Sequence, residues 1–295
     1  MSAEPAPLVL GGAQFGLDYG VSNRRGRIPA REAAEILAMA AAAGIGMIDT
    51  APAYGDSEET VGTLIGADPR WRIVTKTVDI ARHPPGKAAD ALSQGVSASL
   101  ARLRRSRVDI LLFHRAADLG REDADEILDA ARALRTSGSV GQLGVSIYDA
   151  AELDAVLELI RWDVVQVPLS VIDQRLVRSG HVARLAEAGI EVQARSVFLQ
   201  GLLLQAVDDL PVFAQPFASA LGAVGRRAGD LGISALALCL AFVRTNPQLA
   251  ACVVGVSSVR DLAQILDAGT RALPDLSELA IADPALVDPR RWPRS

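Results

Sequence analysis

The chain has 295 residues, half of them apolar and 22% charged, with a formal net charge of −5. That length is enough for one large core, and the high apolar share with low net charge excludes a disordered chain. The acidic balance, with no basic block carrying interleaved aromatics, excludes a general nucleic-acid binder. The longest apolar stretch, Ile233–Val243, is well short of the roughly 20 residues that a membrane span needs. The opening segment MSAEPAP has neither the basic region nor the apolar run of a secretory leader. The expectation is therefore a cytoplasmic protein without a membrane partner.

In chain order, short apolar runs alternate with amphipathic segments. The runs predict strands over Leu8–Leu10, Gly46–Asp49, Ile73–Thr77, Asp109–His114, Val140–Ser146, Val164–Val167, Glu191–Arg195 and Ala251–Val256. Helices are predicted over Ala30–Ala43, Ser57–Ile65, Ala88–Arg104, Asp123–Ser137, Ala150–Ile160, Val182–Ala188, Phe217–Leu231 and Ser258–Ala268, with an extra one over Ala235–Arg244. Gly44, Gly138 and Gly189 fall just past helical segments, where a left-handed cap favours glycine. The strands are continuous apolar runs, as in a parallel sheet covered on both faces. Eight evenly spaced β–α units without a linker predict a single (β/α)8 barrel over residues 1–295 with a C-terminal helical tail, in preference to a doubly wound open sheet.

Two cysteines, Cys239 and Cys252, lie inside apolar runs and read as buried reduced thiols. Of 30 basic residues only Lys76 and Lys87 are lysine. A chain that uses arginine almost everywhere retains lysine where a compact ammonium is needed.

In a barrel, chemistry sits at the C-terminal ends of the strands. There the sequence places Asp49 after strand two, Tyr54 in the following loop, Lys76 on strand three, His114 at the end of strand four, Ser146 on strand five, Gln166 on strand six and Arg195-Ser196 on strand seven. Lys76 interrupts an apolar strand and so requires an anion, for which Asp49 on the adjacent strand is the obvious partner. A phenol beside that ammonium is expected to have its pKa lowered, which makes Tyr54 a general acid near neutral pH.

These residues carry a resemblance. LGGAQFG near the start, IDTAPAYGDSEETVG after strand two, the lysine of VTKT, the histidine of LLFHRA, GVSIY, VVQVP and GVSSVRDL together resemble the aldo-keto reductase superfamily over nearly the whole chain. The resemblance implies a barrel that uses NADP(H), less often NAD(H), without metal or flavin, to interconvert a small-molecule carbonyl and an alcohol. Carried over by position, Tyr54 is the acid–base, Lys76 and Asp49 its charge partners, and His114 orients the carbonyl. Gly12 and Ala13 line the cofactor with backbone, and Ser146 and Gln166 hold the nicotinamide carboxamide. Arg195 stands where a tyrosine often stacks on that ring, followed by Ser196. After strand eight Gly255 replaces a common lysine and Asp261 a common arginine, which leaves Ser257, Ser258 and Arg260 at a helix N-terminus as the contacts for a 2′-phosphate. Ile147 stands where an asparagine is frequent.

Two other functions fit the same residues: a Schiff-base lyase using Lys76 as nucleophile, and a barrel that senses the nicotinamide redox state with little turnover. Elsewhere, Tyr148 reads as either rim or wall of the site, Trp71 and Trp162 as covers for the barrel bottom, and His83 and His181 as solvated. The Arg102–Arg107 run reads as the solvated end of a helix, and Trp292 as a tail residue over the barrel or on a surface. Oligomeric state leaves no signal in the sequence.

Overall fold

The computed structural model describes residues 4–293, so the first three residues of the leader expectation and the last two of the tail lie outside it. Eight parallel strands close into a barrel in sequence order: β1 (Leu8–Gly11), β2 (Met47–Asp49), β3 (Arg72–Lys76), β4 (Val108–Phe113), β5 (Val140–Ser146), β6 (Val164–Pro168), β7 (Glu191–Arg195) and β8 (Ala251–Gly255). Closure is made by β1 against β8, with Leu8 opposite Cys252 and Gly11 opposite Gly255. The predicted (β/α)8 barrel is therefore the observed fold, and each predicted strand lies within one residue of its observed ends, with β3 and β4 both set back by one.

Side-chain alternation explains why these runs are strands. On β3, Val74 faces the barrel interior, whereas Ile73 packs outward against the helices. On β4, Ile110 and Leu112 point in and Leu111 and Phe113 point out. Both sets are water-free, so the runs read as continuously apolar. The interior cluster is small: Val74, Ile110, Leu112 and Val164, with Met47 packed against it. The larger core lies between the sheet and its helices.

The helices are α1 (Ala13–Gly16), α2 (Ala30–Ala42), α3 (Ser57–Ile65), α4 (Ala88–Leu103), α5 (Ala124–Thr136), α6 (Ala150–Val156), α7 (Arg175–Arg178), α8 (His181–Glu187), α9 (Ala218–Asp230), α10 (Ala235–Arg244), α11 (Val259–Asp267) and α12 (Pro284–Val287). The short helices α1 and α7 were not visible as periodic segments, because four residues complete barely one turn. Helix α6 stops four residues before its predicted end. In the tail, Trp292 is buried against Phe213 with ring centroids 5.0 Å apart and donates Nε1–H to the Leu286 carbonyl. Cys239 and Cys252 are buried and unpaired, and burial pushes both thiols up to about 12.

Three expectations are corrected. The Arg102–Arg107 run is not simply solvated: Arg102 donates to Glu58, a fully buried carboxylate that also accepts from Thr75, and Arg105 donates to the Trp71 and Asp68 carbonyls. A strand-facing glutamate needs these partners because water cannot reach it. His181 opens α8 with only 16% of its side chain exposed, between Ser179 and Asp154. Trp162 meets Phe113 edge-on at 5.8 Å and belongs to the layer between sheet and helices rather than to a cap on the barrel floor.

Removing the arginine should expose the cost of that buried carboxylate. Arg102→Met leaves Glu58 unpaired and should destabilise the fold by about 3–5 kcal/mol in urea unfolding. The double variant Arg102→Met with Glu58→Gln should recover part of that loss, whereas a single variant within about 0.5 kcal/mol of the parent would show the pair to be immaterial.

Candidate active site

Asp49 ends β2 in register with Gly11 of β1 and Val74 of β3. Its Oδ1 accepts from Lys76 Nζ at 2.5 Å, and its Oδ2 from Gln166 Nε2 at 2.8 Å. Lys76 donates further to the Thr50 carbonyl at 3.1 Å, and its side chain is only 1% exposed. These partners come from β2, β3 and β6 and from Thr50, the residue directly after β2.

The loop after β2 is pressed against α1, and two glycines make this possible. A Cβ on Gly16 would lie 1.8 Å from the Tyr54 carbonyl oxygen, and one on Gly55 2.4 Å from the Gly16 carbonyl oxygen. Gly55 also has a φ of +55°, where side chains are disfavoured. Ser57 ties the same loop to β1 by donating to the Gly12 carbonyl at 2.7 Å, with Thr50 Oγ1 2.8 Å from its hydroxyl. The result places the Tyr54 ring 4.8 Å from Lys76 Nζ and edge-on to His114, with ring centroids 5.9 Å apart at 86°. His114 is held from β4 by its backbone N–H to Thr77 Oγ1 at 3.1 Å.

The expected lowering of the Tyr54 pKa is not what this arrangement produces. Burial is the main cause of its shift, the Asp49 carboxylate adds to it, and Arg195 opposes it only partly, so the phenol is pushed up. The expectation counted the ammonium without the carboxylate that pairs with it. His114 is displaced the other way, down to about 3, by burial first and then by the charges of Lys76 and Arg195. At neutral pH the site thus presents a protonated phenol beside a neutral imidazole.

Across the mouth, Ser146 and Gln166 face each other in the β5–β6 register. Gln166 spends its amide donor on Asp49, which leaves its carbonyl oxygen as the free acceptor. Arg195 reaches back over β5 with Nε 3.3 Å from Ser146 Oγ and Nη2 2.9 Å from the Ile147 carbonyl, and Nη1 lies 3.1 Å from Ser196 Oγ. One face of its guanidinium lies 4.1 Å from the centre of the Tyr148 ring, so Tyr148 is a wall of the site. The loop that follows is strained, with positive φ at Ser196, Leu199 and Gln200, none of them glycine.

One cavity of about 370 Å³ is lined by Gly12, Ala13, Asp49, Tyr54, Lys76, His114, Ser146, Gln166, Arg195, Ser196, Gly255 and Ser257. Of the residues singled out from the sequence, Ser258 and Arg260 are not in that lining. Ser258 is buried as the cap of α11 and accepts from the Asp261 N–H, and Arg260 is exposed on the first turn. Asp261 lines the cavity instead, and its carboxylate takes both the N–H and the hydroxyl of Ser257. Burial alone would raise its pKa, but the Ser257 and Ser258 hydrogen bonds outweigh that and hold it below the usual carboxylate range.

Sequence reasoning missed Gln14, Tyr19 and Asn23, which line the cavity, and Arg25, which donates to the Ser257 carbonyl at 3.0 Å and pairs with Glu32. Arg25 and Ser257 are 232 positions apart in the chain, a separation that local pattern does not bridge. Gln14 had a signal in LGGAQFG, the only polar side chain in an otherwise apolar and glycine-rich motif. Among the described residues, no group of three or more His, Cys, Asp or Glu could hold a metal ion, and no helix is long and apolar enough to cross a membrane.

The profile of the Aldo/keto reductase family matches residues 7–282, and the chain belongs to that family. It is 30% identical over 247 residues to a D-threo-aldose 1-dehydrogenase from a Pseudomonas species, covering 69% of this chain and 72% of that one. It is 33% identical over 144 residues to a 6-dehydroglucose reductase from Novosphingobium aromaticivorans, with 44% of this chain and 46% of that protein covered. With the D-arabinose 1-dehydrogenase of Saccharomyces cerevisiae the identity is 28%, over 64% of this chain and 62% of that protein. The chain thus spans less than two thirds of the length of the Novosphingobium and yeast relatives. Among solved structures it is similar to a Pseudomonas aeruginosa protein assigned to the aldo-keto reductases, with a TM-score of 0.66, 26% identity and 90% and 89% of the two chains covered. An aldo-keto reductase from Bacillus halodurans in its holo form shares the fold, with a TM-score of 0.76 and 19% identity over 98% and 96% of the chains.

The His114 environment makes stability pH-dependent. Its pKa is depressed on folding, so the unfolded chain binds more protons wherever the pH lies below the free value of about 6.5 and above the folded value. Stability should therefore fall by up to about 2 kcal/mol as pH drops from 6.5 to 5, a slope that His114→Asn should flatten. Parallel urea titrations of the two proteins across that range measure it, and identical slopes would show that the imidazole is free to protonate.

Proposed function

We propose that the protein is a nicotinamide-dependent oxidoreductase that reversibly reduces an aldehyde or ketone to an alcohol, a carbonyl reductase of the alcohol dehydrogenase type. The observation that carries this reading is the convergence of Tyr54, His114 and the Lys76–Asp49 pair on one cavity. A carbonyl oxygen held between the Tyr54 hydroxyl and the His114 imidazole gains negative charge during reduction, and Tyr54, protonated at working pH, supplies the proton. His114, neutral, orients the oxygen without competing for that proton. Lys76, locked by Asp49 and the Thr50 carbonyl, places a fixed dipole beside the phenol. The same locking argues against a Schiff-base nucleophile, which must be neutral and free to move. The intact acid–base set argues against a sensor without turnover.

The cavity residues fit the reactive end and linker of a dinucleotide. Gln14 Oε1 is buried without a partner, Ser146 and the Gln166 carbonyl oxygen offer hydrogen-bonding groups to a carboxamide, and the Gly12–Ala13 backbone lines the wall. Bound there, the coenzyme supplies the hydride. Three relatives that bear the names of sugar dehydrogenases and reductases support a hydroxylated carbonyl compound as substrate, and Asn23, Gln14 and Gln200 in the lining suit such a molecule. No metal or flavin enters this scheme.

Tyr54→Phe should lower the carbonyl reduction rate by about 10²–10⁴-fold and leave coenzyme affinity nearly unchanged. A panel of aldoses, ketoses and simple aldehydes assayed with NADPH and with NADH, beside coenzyme titration by protein fluorescence, measures both. Near-parental turnover in the Phe variant would remove Tyr54 from the chemistry.

For the coenzyme we keep NADP(H) over NAD(H), with Arg25 rather than Arg260 as the guanidinium at the Ser257 end. Arg25→Ala should then weaken NADPH about tenfold or more and leave NADH within about twofold, as expected for a charge-assisted hydrogen bond. Arg260→Ala should change neither. Equal affinity of the parent for the two coenzymes would refute the assignment.

A further inference from the structure

Charge in the reactive half of the cavity is distributed unevenly. The Lys76 ammonium is matched by Asp49 at 2.5 Å. Tyr54 and His114 are both neutral at pH 7. Arg195 is different. All three of its hydrogen bonds go to uncharged oxygens, those of Ser146, Ser196 and the Ile147 backbone, and no carboxylate of the described residues pairs with it.

The ring beneath it explains how such a cation is held. Tyr148 is sandwiched between two guanidiniums, Arg195 at 4.1 Å and Arg290 of the tail at 3.9 Å. The two are treated oppositely. Arg290 is bound by Asp288, Glu152 and Asp149. Arg195 has none of these carboxylates, and a ring face fixes its plane without cancelling its charge. A carboxylate would have fixed it as well, and neutralised it. The uncancelled charge is felt on the acid side, where it acts on both Tyr54 and His114.

We propose that Arg195 is a charge-selective wall of the reactive end: held by Tyr148 and by uncharged acceptors, it favours binding of the neutral reduced nicotinamide over the cationic oxidised form, so that reduced coenzyme is taken up in preference and oxidised coenzyme is held less tightly once the hydride has gone. This rests on the coenzyme reading above and adds to it a preference between the two redox forms. In reduction, a hydride, carrying two electrons, passes to the carbonyl carbon and Tyr54 gives its proton to the oxygen, so the coenzyme ring ends one positive charge higher. Whatever donates hydride to a carbonyl held by Tyr54 would lie in the same cavity that Arg195 lines. Opposition between the two positive charges penalises the oxidised state alone.

The test is a set of fluorescence titrations with NADPH, NADP+, NADH and NAD+ on the parent, Arg195→Gln and Arg195→Lys, each checked for folding by circular dichroism. The parent should bind the reduced form of whichever coenzyme it prefers at least about fivefold more tightly than the oxidised form. Arg195→Gln, which keeps a hydrogen-bonding amide and loses the charge, should shrink that ratio to within about twofold of unity. Arg195→Lys keeps the charge and should preserve it, which separates charge from packing. A ratio unchanged in Arg195→Gln, or lost equally in Arg195→Lys, would overturn the proposal. A parent that binds none of the four would overturn the coenzyme reading and the proposal with it.

Discussion

An ammonium with almost no access to water sits at the mouth of this barrel, and the surrounding structure is arranged to satisfy it. Lys76 is 2% exposed and Asp49 4%. Separating such a pair leaves an uncompensated buried charge, at a cost of about 3–5 kcal/mol. The pair therefore fixes the heights of β2 and β3 relative to each other, and the second carboxylate oxygen extends the constraint to Gln166 on β6. The Thr50 carbonyl completes the lysine's shell, and Thr50 in turn touches Ser57 and through it the end of β1. Tyr54 lies on the short loop between these fixed points. Its position follows from the ion pair as much as from its own packing.

Most of the fold was legible because a parallel barrel writes its strands as unbroken apolar runs, and the residues that break those runs at one end stand out. Lys76 in a strand and Asp49 at the end of its neighbour implied each other before any coordinates. What escaped were features that depend on distance through space. Arg25 meets Ser257 only after the barrel closes β1 against β8. Ser258 looked free for a ligand because a serine before a helix can serve a phosphate or its own helix, and here Asp261 needs the cap. The direction of the Tyr54 shift was misjudged for a related reason: an ammonium known to require a carboxylate was still treated as a lone charge. The partial burial of His181 and the pairing of Arg102 with Glu58 were hidden by their polar neighbours in sequence, since exposure is decided by the element packed opposite.

The order of these residues along the chain has a consequence for how the molecule is made. Asp49, Tyr54, Lys76 and His114 all fall within the first four strands, whereas Ser146, Gln166, Arg195 and Ser257 come from the last four and the turn that follows. The acid–base groups thus belong to one half-barrel and the side chains facing them to the other. Among these eight residues, the two sets are joined by one hydrogen bond, between Asp49 and Gln166, and electrically by Arg195. A nascent chain that has completed only β4 carries every proton-handling group but not Gln166, the donor to the second Asp49 oxygen. That donor comes with β6 and the Arg195 charge with β7, so the proton-handling centre acquires its final electrostatics only when the second half is in place.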